Sequence, residues 1–420
     1  MNSIWRRCRL RAAQQGHYLQ RLMRLVYFVL AFEEEDMIVA EQMRGYTQSS
    51  SWIRKMFEEG ARLMAMHGAE NVYDFSLGNP DIAPPKEAIE SIRRLAGEMS
   101  HGYMPNAGYP EVRQTVAAFA AREYEVSLAP EHIIMTCGAG GGLNVVLRSI
   151  LNPGDEVIAL APYFVEYGFY VENYGGKLVV ARCNEQFFPA FERIEAAITP
   201  RTKAIIINTP NNPTGRVYPE AVLAGLRTLL AGHPNILLIS DEPYRRIVYD
   251  DRIVPSVLKI VPRSVVVTSA SKDLSLAGER IGYIAIGPGV EDKEELANAL
   301  ILANRILGFV NAPALMQRVL AECIHLSVNV GIYQRRRDLF RTILDDTGLS
   351  YAPPEGTFYL FVKAPITDDI AFSNALVKER ILSVPGTGFG YPGYVRFAYC
   401  TKESVIKAAA PGLKKVVKAY

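Results

Sequence analysis

The chain has 420 residues, of which 49% are hydrophobic and 21% charged, the balance of a globular protein with a large buried core spread over two or three domains. Its formal net charge of +2 is unevenly spread: residues 1–36 carry six arginines against four acids, and the rest balances 40 basic with 40 acidic residues, which leaves no electrostatic footprint for nucleic acid. Five scattered cysteines without a CxxC pair, and six histidines without HxxxH or HExxH spacing, argue against a disulfide framework and a metal centre and for a reducing compartment, the cytoplasm.

From the N-terminus, the arginines lead into an apolar run, residues 25–32, that superficially looks like a signal peptide. Eight residues fall far short of the roughly 20 needed to span a bilayer, no small-residue cleavage site follows, and no membrane attachment is expected. Residues 1–36 therefore read as a disordered extension outside the fold, which begins near Met37; an organelle transit peptide is the other reading. Residues 51–67 carry Ile53, Met56, Phe57 and Leu63 at helical spacing. A strand over 72–77 is stopped by the turn Gly78-Asn79-Pro80-Asp81, and helices are predicted over 86–96 and 110–124. A strand over 133–137 runs into a glycine cluster, 138–142, and then a helix over 143–151. The runs EVIALA (156–161), KLVVARC (177–183), KAIIINTP (203–210), NILLISDEP (235–243) and SVVVTSAS (264–271) are β-branched without polar alternation, the pattern of parallel strands covered on both faces. One long helical segment is expected over about 313–345, before a smaller mixed region. The implied architecture is α/β. A large domain, residues 85–315, holds a mixed, mostly parallel sheet covered by helices, and a smaller α+β domain is built from both chain ends, 37–84 and 316–420. In such sheets ligands bind beyond the carboxyl ends of the strands.

The residues with chemistry fall at those ends. NILLISD is apolar until Ser240 and then delivers Asp241, followed by Pro243 and Tyr244. A carboxylate leaving a hydrophobic strand is costly unless a cation meets it, although a helix cap or a salt-bridged loop acid would look the same. SVVVTSAS ends in Ser269-Ala270-Ser271-Lys272, with Arg280 eight residues beyond the lysine. Alone, that lysine would read as a surface residue; the hydroxyls and the guanidinium fork suit a phosphate. Glycines between a strand and a helix let backbone amides approach an anion, but the cluster matches neither GxGxxG nor the Walker spacing. A phosphate, an acid for a cationic ring nitrogen and a lysine for an aldehyde together describe pyridoxal 5'-phosphate.

From about residue 50 to its C-terminus the chain resembles the class I/II aminotransferases of the fold-type-I pyridoxal-phosphate family. The resemblance rests on LGNPD (77–81), YMPNAGYPEVR (103–113), NPGDEVI (152–158), NTPNNPTG (208–215), SDEPY (240–244), SASKDLSLAGERIGY (269–283), PPEGTFY (353–359) and VRFAYC (395–400), all in family order. It implies the fold-type-I α/β architecture and a role for each matching position. Lys272 forms the Schiff base and then acts as general base, Asp241 pairs with the pyridine nitrogen, and Asn212 and Tyr244 hydrogen-bond the ring's phenolic oxygen. Tyr163 stacks on the ring, while Ala139, Gly140, Ser269 and Arg280 hold the phosphate. Tyr103 reaches the neighbouring subunit's site in a homodimer, and Arg396, with the backbone at Gly78, binds the substrate α-carboxylate. The usual family loop has a serine or threonine and a bulkier polar residue where this chain has Gly140 and Gly141, so phosphate binding here rests more on backbone amides.

The implied activity is ping-pong transfer of an amino group between an L-amino acid and a 2-oxo acid. The same fold and lysine also serve C–S β-lyases. Aminotransferase-like regulators carry a DNA-binding domain, but the roughly 50 residues before the resemblance show no helix-turn-helix pattern. Aspartate, alanine and aromatic amino acids all remain open as substrates, with Arg305 the nearest second arginine for a side-chain carboxylate.

Overall fold

The computed structural model describes residues 38–48, 52–98 and 101–420; the expectation for residues 1–36 lies outside the described residues. Residues 38–48 contain one short helix, Glu41–Gln48, in a unit that ends at Ser51. Trp52 to Tyr420 form one compact unit.

Its strands, in chain order, are β1 (Tyr73–Asp74), β2 (Ile133–Thr136), β3 (Glu156–Ala161), β4 (Lys177–Arg182), β5 (Thr202–Asn208) and β6 (Leu237–Asp241). They continue with β7 (Ser264–Ser269), β8 (Gly282–Ile286), β9 (Tyr359–Lys363), β10 (Ile381–Leu382), β11 (Val384–Pro385) and β12 (Tyr394–Ala398). Seven of them make one sheet in the order β2-β8-β7-β6-β5-β3-β4. The neighbours from β7 through β6, β5 and β3 to β4 run parallel, and β8 alone is antiparallel to both its neighbours.

Alternate side chains of one strand enter different cores. Val266 of β7 packs in a cluster with Val112, Val116 and Met316, while Val265 and Val267 pack with Val145, Val146 and Leu300. Both faces are thus apolar, and that is why the strands read as continuous hydrophobic runs. Each fully buried valine or isoleucine contributes about 1.5–3 kcal/mol. The exception is β4, at the sheet edge, where Val180 is 46% exposed and the face it shares with Leu178 is only partly covered.

Three sequence expectations need correction. The glycine cluster is no loop but the first turn of the helix Gly138–Ile150. Tertiary packing overrides glycine's poor helix propensity here, because a Cβ on Gly142 would stand 2.6 Å from the Val267 side chain. The segment 313–345 is two helices, Ala314–Cys323 and Val330–Asp345, the second capped by the Asn329 side chain accepting from the Gly331 amide. The strand expected over 72–77 shrinks to two residues, since β1 pairs only with the equally short β10.

That pairing joins a segment before the large sheet to one after it. Nearby, β11, β12 and β9 form an antiparallel sheet in that order, packed on a core that includes Phe75, Tyr333, Phe340, Phe358 and Phe397. Among the described residues, no helix is long and apolar enough to cross a membrane.

Candidate active site

The carboxyl ends of β2, β5, β6 and β7 converge on one cavity of about 300 Å³, bordered on its far side by β12 and the first residue of β9. Ten of the twelve residues singled out in the sequence line it: Gly78, Ala139, Gly140, Asn212, Asp241, Tyr244, Ser269, Lys272, Arg280 and Arg396.

Asp241 is the last residue of β6, opposite Asn208 of β5 and Val267 of β7. It is 6% exposed; its Oδ2 accepts a 2.6 Å hydrogen bond from the Tyr167 hydroxyl, and its Oδ1 has no partner. Burial pushes its carboxyl up to about 7; the Tyr167 hydroxyl and Lys272 pull the other way, and the buried Glu242 beside it pushes further up. An unpaired carboxylate oxygen at this depth is costly and calls for a cationic donor.

Asn208 ties two loops to this point. Its Nδ2 donates to the Asp241 carbonyl at 2.7 Å, and its Oδ1 accepts from the Asn212 amide at 2.6 Å. Asn212 in turn accepts, through Oδ1, from the Arg396 guanidinium at 2.9 Å. Tyr244, three residues beyond Asp241, shares a 3.0 Å hydrogen bond with the Tyr359 hydroxyl. Burial raises its phenol well above the usual range and keeps it a neutral donor.

Lys272 follows β7, and its Nζ donates to the Gly78 carbonyl at 2.9 Å. Some of the residue's surface opens to the cavity, yet its amine is walled in by protein. Burial lowers its pKa to about 8, with Arg396 and Arg280 adding to the effect and Cys400 and Asp241 opposing it. Gly78 is needed here for close approach: a Cβ would stand 1.7 Å from the Tyr359 hydroxyl oxygen.

Arg280 sits just before β8, so the antiparallel strand brings it to the same sheet edge as the ends of β2 and β7. Its guanidinium lies over Gly138, where a Cβ would be 2.7 Å from Nη2, and the φ of +71° at Gly138 favours glycine. Ser269 donates to Ser271 at 3.0 Å, and both hydroxyls line the cavity beside the N-terminus of the helix Gly138–Ile150. That combination of helix N-terminus, hydroxyls and arginine is an anion site.

Arg396 comes from β12, where it pairs with Phe361 of β9 and Val384 of β11. It is 2% exposed and lies between the rings of Tyr359 and Phe389, 4.4 and 4.8 Å away. Its Nη2 donates to the Ser76 carbonyl at 2.5 Å, its Nε has no partner, and no carboxylate of the described residues forms an ion pair with it. A buried arginine without an anion is a site for one.

One expected residue falls elsewhere, and Tyr103, expected at a second subunit's site, lies outside this chain's cavity. Tyr163 does not line the cavity; its ring packs against Gly390 and stacks on Tyr167 at 6.5 Å, and the next residue, Phe164, takes the place at the cavity wall. The sequence shows two adjacent aromatics, but which ring faces inward depends on the turn between β3 and the helix Glu166–Glu172. Tyr103 is 93% exposed. Three further residues escaped the sequence reading. Tyr167 finds Asp241 across 74 residues, which no local spacing signals, whereas Asn208 opens the NTPNNPTG motif and Tyr359 closes the PPEGTFY motif.

The donor set fits pyridoxal phosphate: an orphan carboxylate oxygen for the ring nitrogen, a partly neutral amine for the aldehyde, phenol and amide donors for the ring oxygen, and an anion cradle for the phosphate. Comparison with known proteins agrees. The family model "Aminotransferase class I and II" matches residues 70–411. An aspartate/prephenate aminotransferase of Thermus thermophilus is 35% identical over 81% of this chain and 89% of its own length. An amino transferase from Eubacterium rectale has the same fold with a TM-score of 0.88 at 38% identity, covering 91% of this chain and 99% of its own. The aspartate aminotransferase of Thermus thermophilus solved with maleate gives a TM-score of 0.81 at 31% identity over 90% of this chain and all of its own. The chain belongs to the class I and II aminotransferases of fold type I, and it is a pyridoxal-phosphate-dependent aminotransferase.

Proposed function

We propose that this cavity is where the chain carries out transamination, with Lys272 as the residue that forms the Schiff base and moves the proton. The observation that carries the reading is the meeting of three groups in one cavity: the unpaired Asp241 Oδ1, the buried Lys272 amine hydrogen-bonded to the Gly78 carbonyl, and the unpaired Arg396 Nε. Bound pyridoxal phosphate supplies an aldehyde for amino groups and an electron-withdrawing ring that acidifies the substrate Cα–H.

The protein's own residues do the rest. Asp241 keeps the ring nitrogen protonated, through the oxygen that Tyr167 leaves free. Asn212 and Tyr244 donate to the ring oxygen. Ser269, Arg280 and the amides at Ala139 and Gly140 hold the phosphate. Phe164, which lines the cavity where Tyr163 does not, is the aromatic side chain that would pack against the ring. Arg396 clamps the substrate α-carboxylate, assisted by the backbone at Gly78, and so fixes the Cα–H beside Lys272. At pH 7 roughly one Lys272 amine in ten is neutral, against fewer than about one in a thousand for an ordinary lysine, which equips it to take a proton from Cα and return it one atom away.

The same reading assigns residues 85–315 to the cofactor domain and 37–84 with 316–420 to a smaller one. It makes the protein a cytoplasmic homodimer in which the exposed Tyr103 reaches the phosphate of the second subunit's site. Borohydride reduction of the holoprotein followed by peptide mapping tests its centre. The pyridoxyl group is expected on Lys272, and an adduct elsewhere, or none, removes that lysine from its role.

A further inference from the structure

We propose that Tyr170 is a phosphate-binding residue of the cofactor site, its hydroxyl donating to the anion above Gly140. This role rests on the cofactor reading above, and it falls to a residue outside every motif quoted from the sequence.

The first turn of the helix Gly138–Ile150 offers an anion its backbone amides, but Gly138-Ala139-Gly140-Gly141-Gly142 carries no polar side chain. A hydroxyl reaches that turn from another element. A Cβ on Gly140 would stand 3.1 Å from the Tyr170 hydroxyl oxygen and 3.8 Å from its Cζ, so the phenol occupies the space where a side chain at 140 would begin. Tyr170 lines the cavity together with Gly140, Ser269 and Arg280. Arg280 lies over the same turn at Gly138, so a guanidinium and a phenol flank the helix N-terminus.

Neighbouring tyrosines hold the phenol there. Tyr167 and Tyr170 stand three residues apart on the helix Glu166–Glu172, hence on one face, and Tyr174 follows just past its end. The Tyr167 hydroxyl donates to Asp241 at 2.6 Å. The Tyr174 hydroxyl donates to the Asn144 Oδ1 at 2.9 Å, and the Asn144 Nδ2 donates to the Gly140 carbonyl at 2.9 Å. These bonds tie the segment to the end of β6 and to the glycine turn, with Tyr170 between the two anchors. Its own hydroxyl has no hydrogen-bond partner among the described residues and opens to the cavity. Burial pushes the phenol up to about 12, with Glu166 and Asp241 adding and Arg280 opposing, so it keeps its proton at neutral pH. A neutral O–H facing a phosphate makes a charge-assisted hydrogen bond.

The test measures binding of two aldehydes to the full chain stripped of cofactor. One is pyridoxal 5'-phosphate, and the other is pyridoxal, which has the same ring and aldehyde without the phosphate. Tyr170→Phe should weaken the phosphorylated form by about tenfold or more, the loss of a hydrogen bond to a charged group, and leave pyridoxal bound as in the parent. Equal weakening of both forms overturns the proposal, because the phenol would then serve the ring or the packing around it. Unchanged binding of both also overturns it, as does a variant that loses its dimer while the ratio of the two affinities stays the same, since the hydroxyl would then meet the second copy. A parent that binds both forms alike overturns the phosphate cradle and Tyr170's role with it. The borohydride adduct on Lys272 judges the transamination reading separately, so the two failures are distinguishable.

Discussion

Replacing Asp241 by asparagine should make the cofactor-free protein more stable while disabling the enzyme. Asp241 is 6% exposed with one oxygen unpaired, and burial lifts its carboxyl from 3.8 to about 7. A folded-state value above the unfolded one means that its contribution to stability is whole below pH 3.8 and is lost as the pH rises through 7. Three pKa units correspond to about 4 kcal/mol, the ceiling of the penalty at pH 8. Asparagine is uncharged and can still accept the Tyr167 hydroxyl through its amide oxygen, but it leaves an NH2 unpaired, so a net gain of about 1–3 kcal/mol is expected. Thermal unfolding of apo-protein and apo-variant, followed by circular dichroism between pH 4 and pH 8, reads this directly. The variant's advantage should open between pH 4 and pH 7 and stay level above. With cofactor the order should reverse, because only the aspartate gains an ion pair with the ring nitrogen, and transamination by the variant should fall by about 100-fold or more. An apo-variant no more stable than its parent at pH 8, or an advantage independent of pH, would refute the account of Asp241 as a charge held in place against its own solvation.

Lys272→Ala should abolish turnover and the borohydride-fixed adduct together; normal transamination by that variant would exclude the lysine as the base. In the apo-protein the rate of pyridoxal-phosphate uptake should climb about tenfold per pH unit and level off near pH 8, where the Lys272 amine loses its proton, and a midpoint near 10.5 would show an ordinary lysine. Arg396→Ala should raise KM for the amino donor by about 100-fold with a smaller change in kcat, as the buried cation that would meet the α-carboxylate is lost; an unchanged KM would point to a different carboxylate ligand. Gly78→Ala should destabilise the fold by about 1–3 kcal/mol in urea unfolding, since the new methyl group overlaps the buried Tyr359 hydroxyl, and a neutral result would mean that the ring can move aside.

How far the sequence reaches differs from residue to residue. Asp241 and Ser269 each close a strand whose body is a hydrophobic run, and Lys272 follows three residues after one; burial of both faces of the sheet makes those runs visible and sends their last residues to one edge. Strand β8 only begins at the end of the Lys272 motif and goes unread in the sequence, although it is the element that returns Arg280 to that edge. The glycine cluster became a helix because Val267 leaves no room for a side chain at Gly142, a neighbour 125 positions away. Tyr163 and Phe164 show the limit most plainly: both are aromatic, adjacent and partly buried, and only the path of the chain after β3 puts one of them at the cavity and the other against Gly390.

The order of strands and helices, the reactive residue types and the family they belong to were all written in local pattern, because periodicity, turn chemistry and motif spacing are properties of neighbouring residues. The free oxygen of Asp241, the depressed pKa of Lys272 and the unpaired Arg396 were decided only in three dimensions. Each depends on which distant side chains exclude water and which fail to supply a partner, and desolvation has no counterpart in the order of residues along a chain.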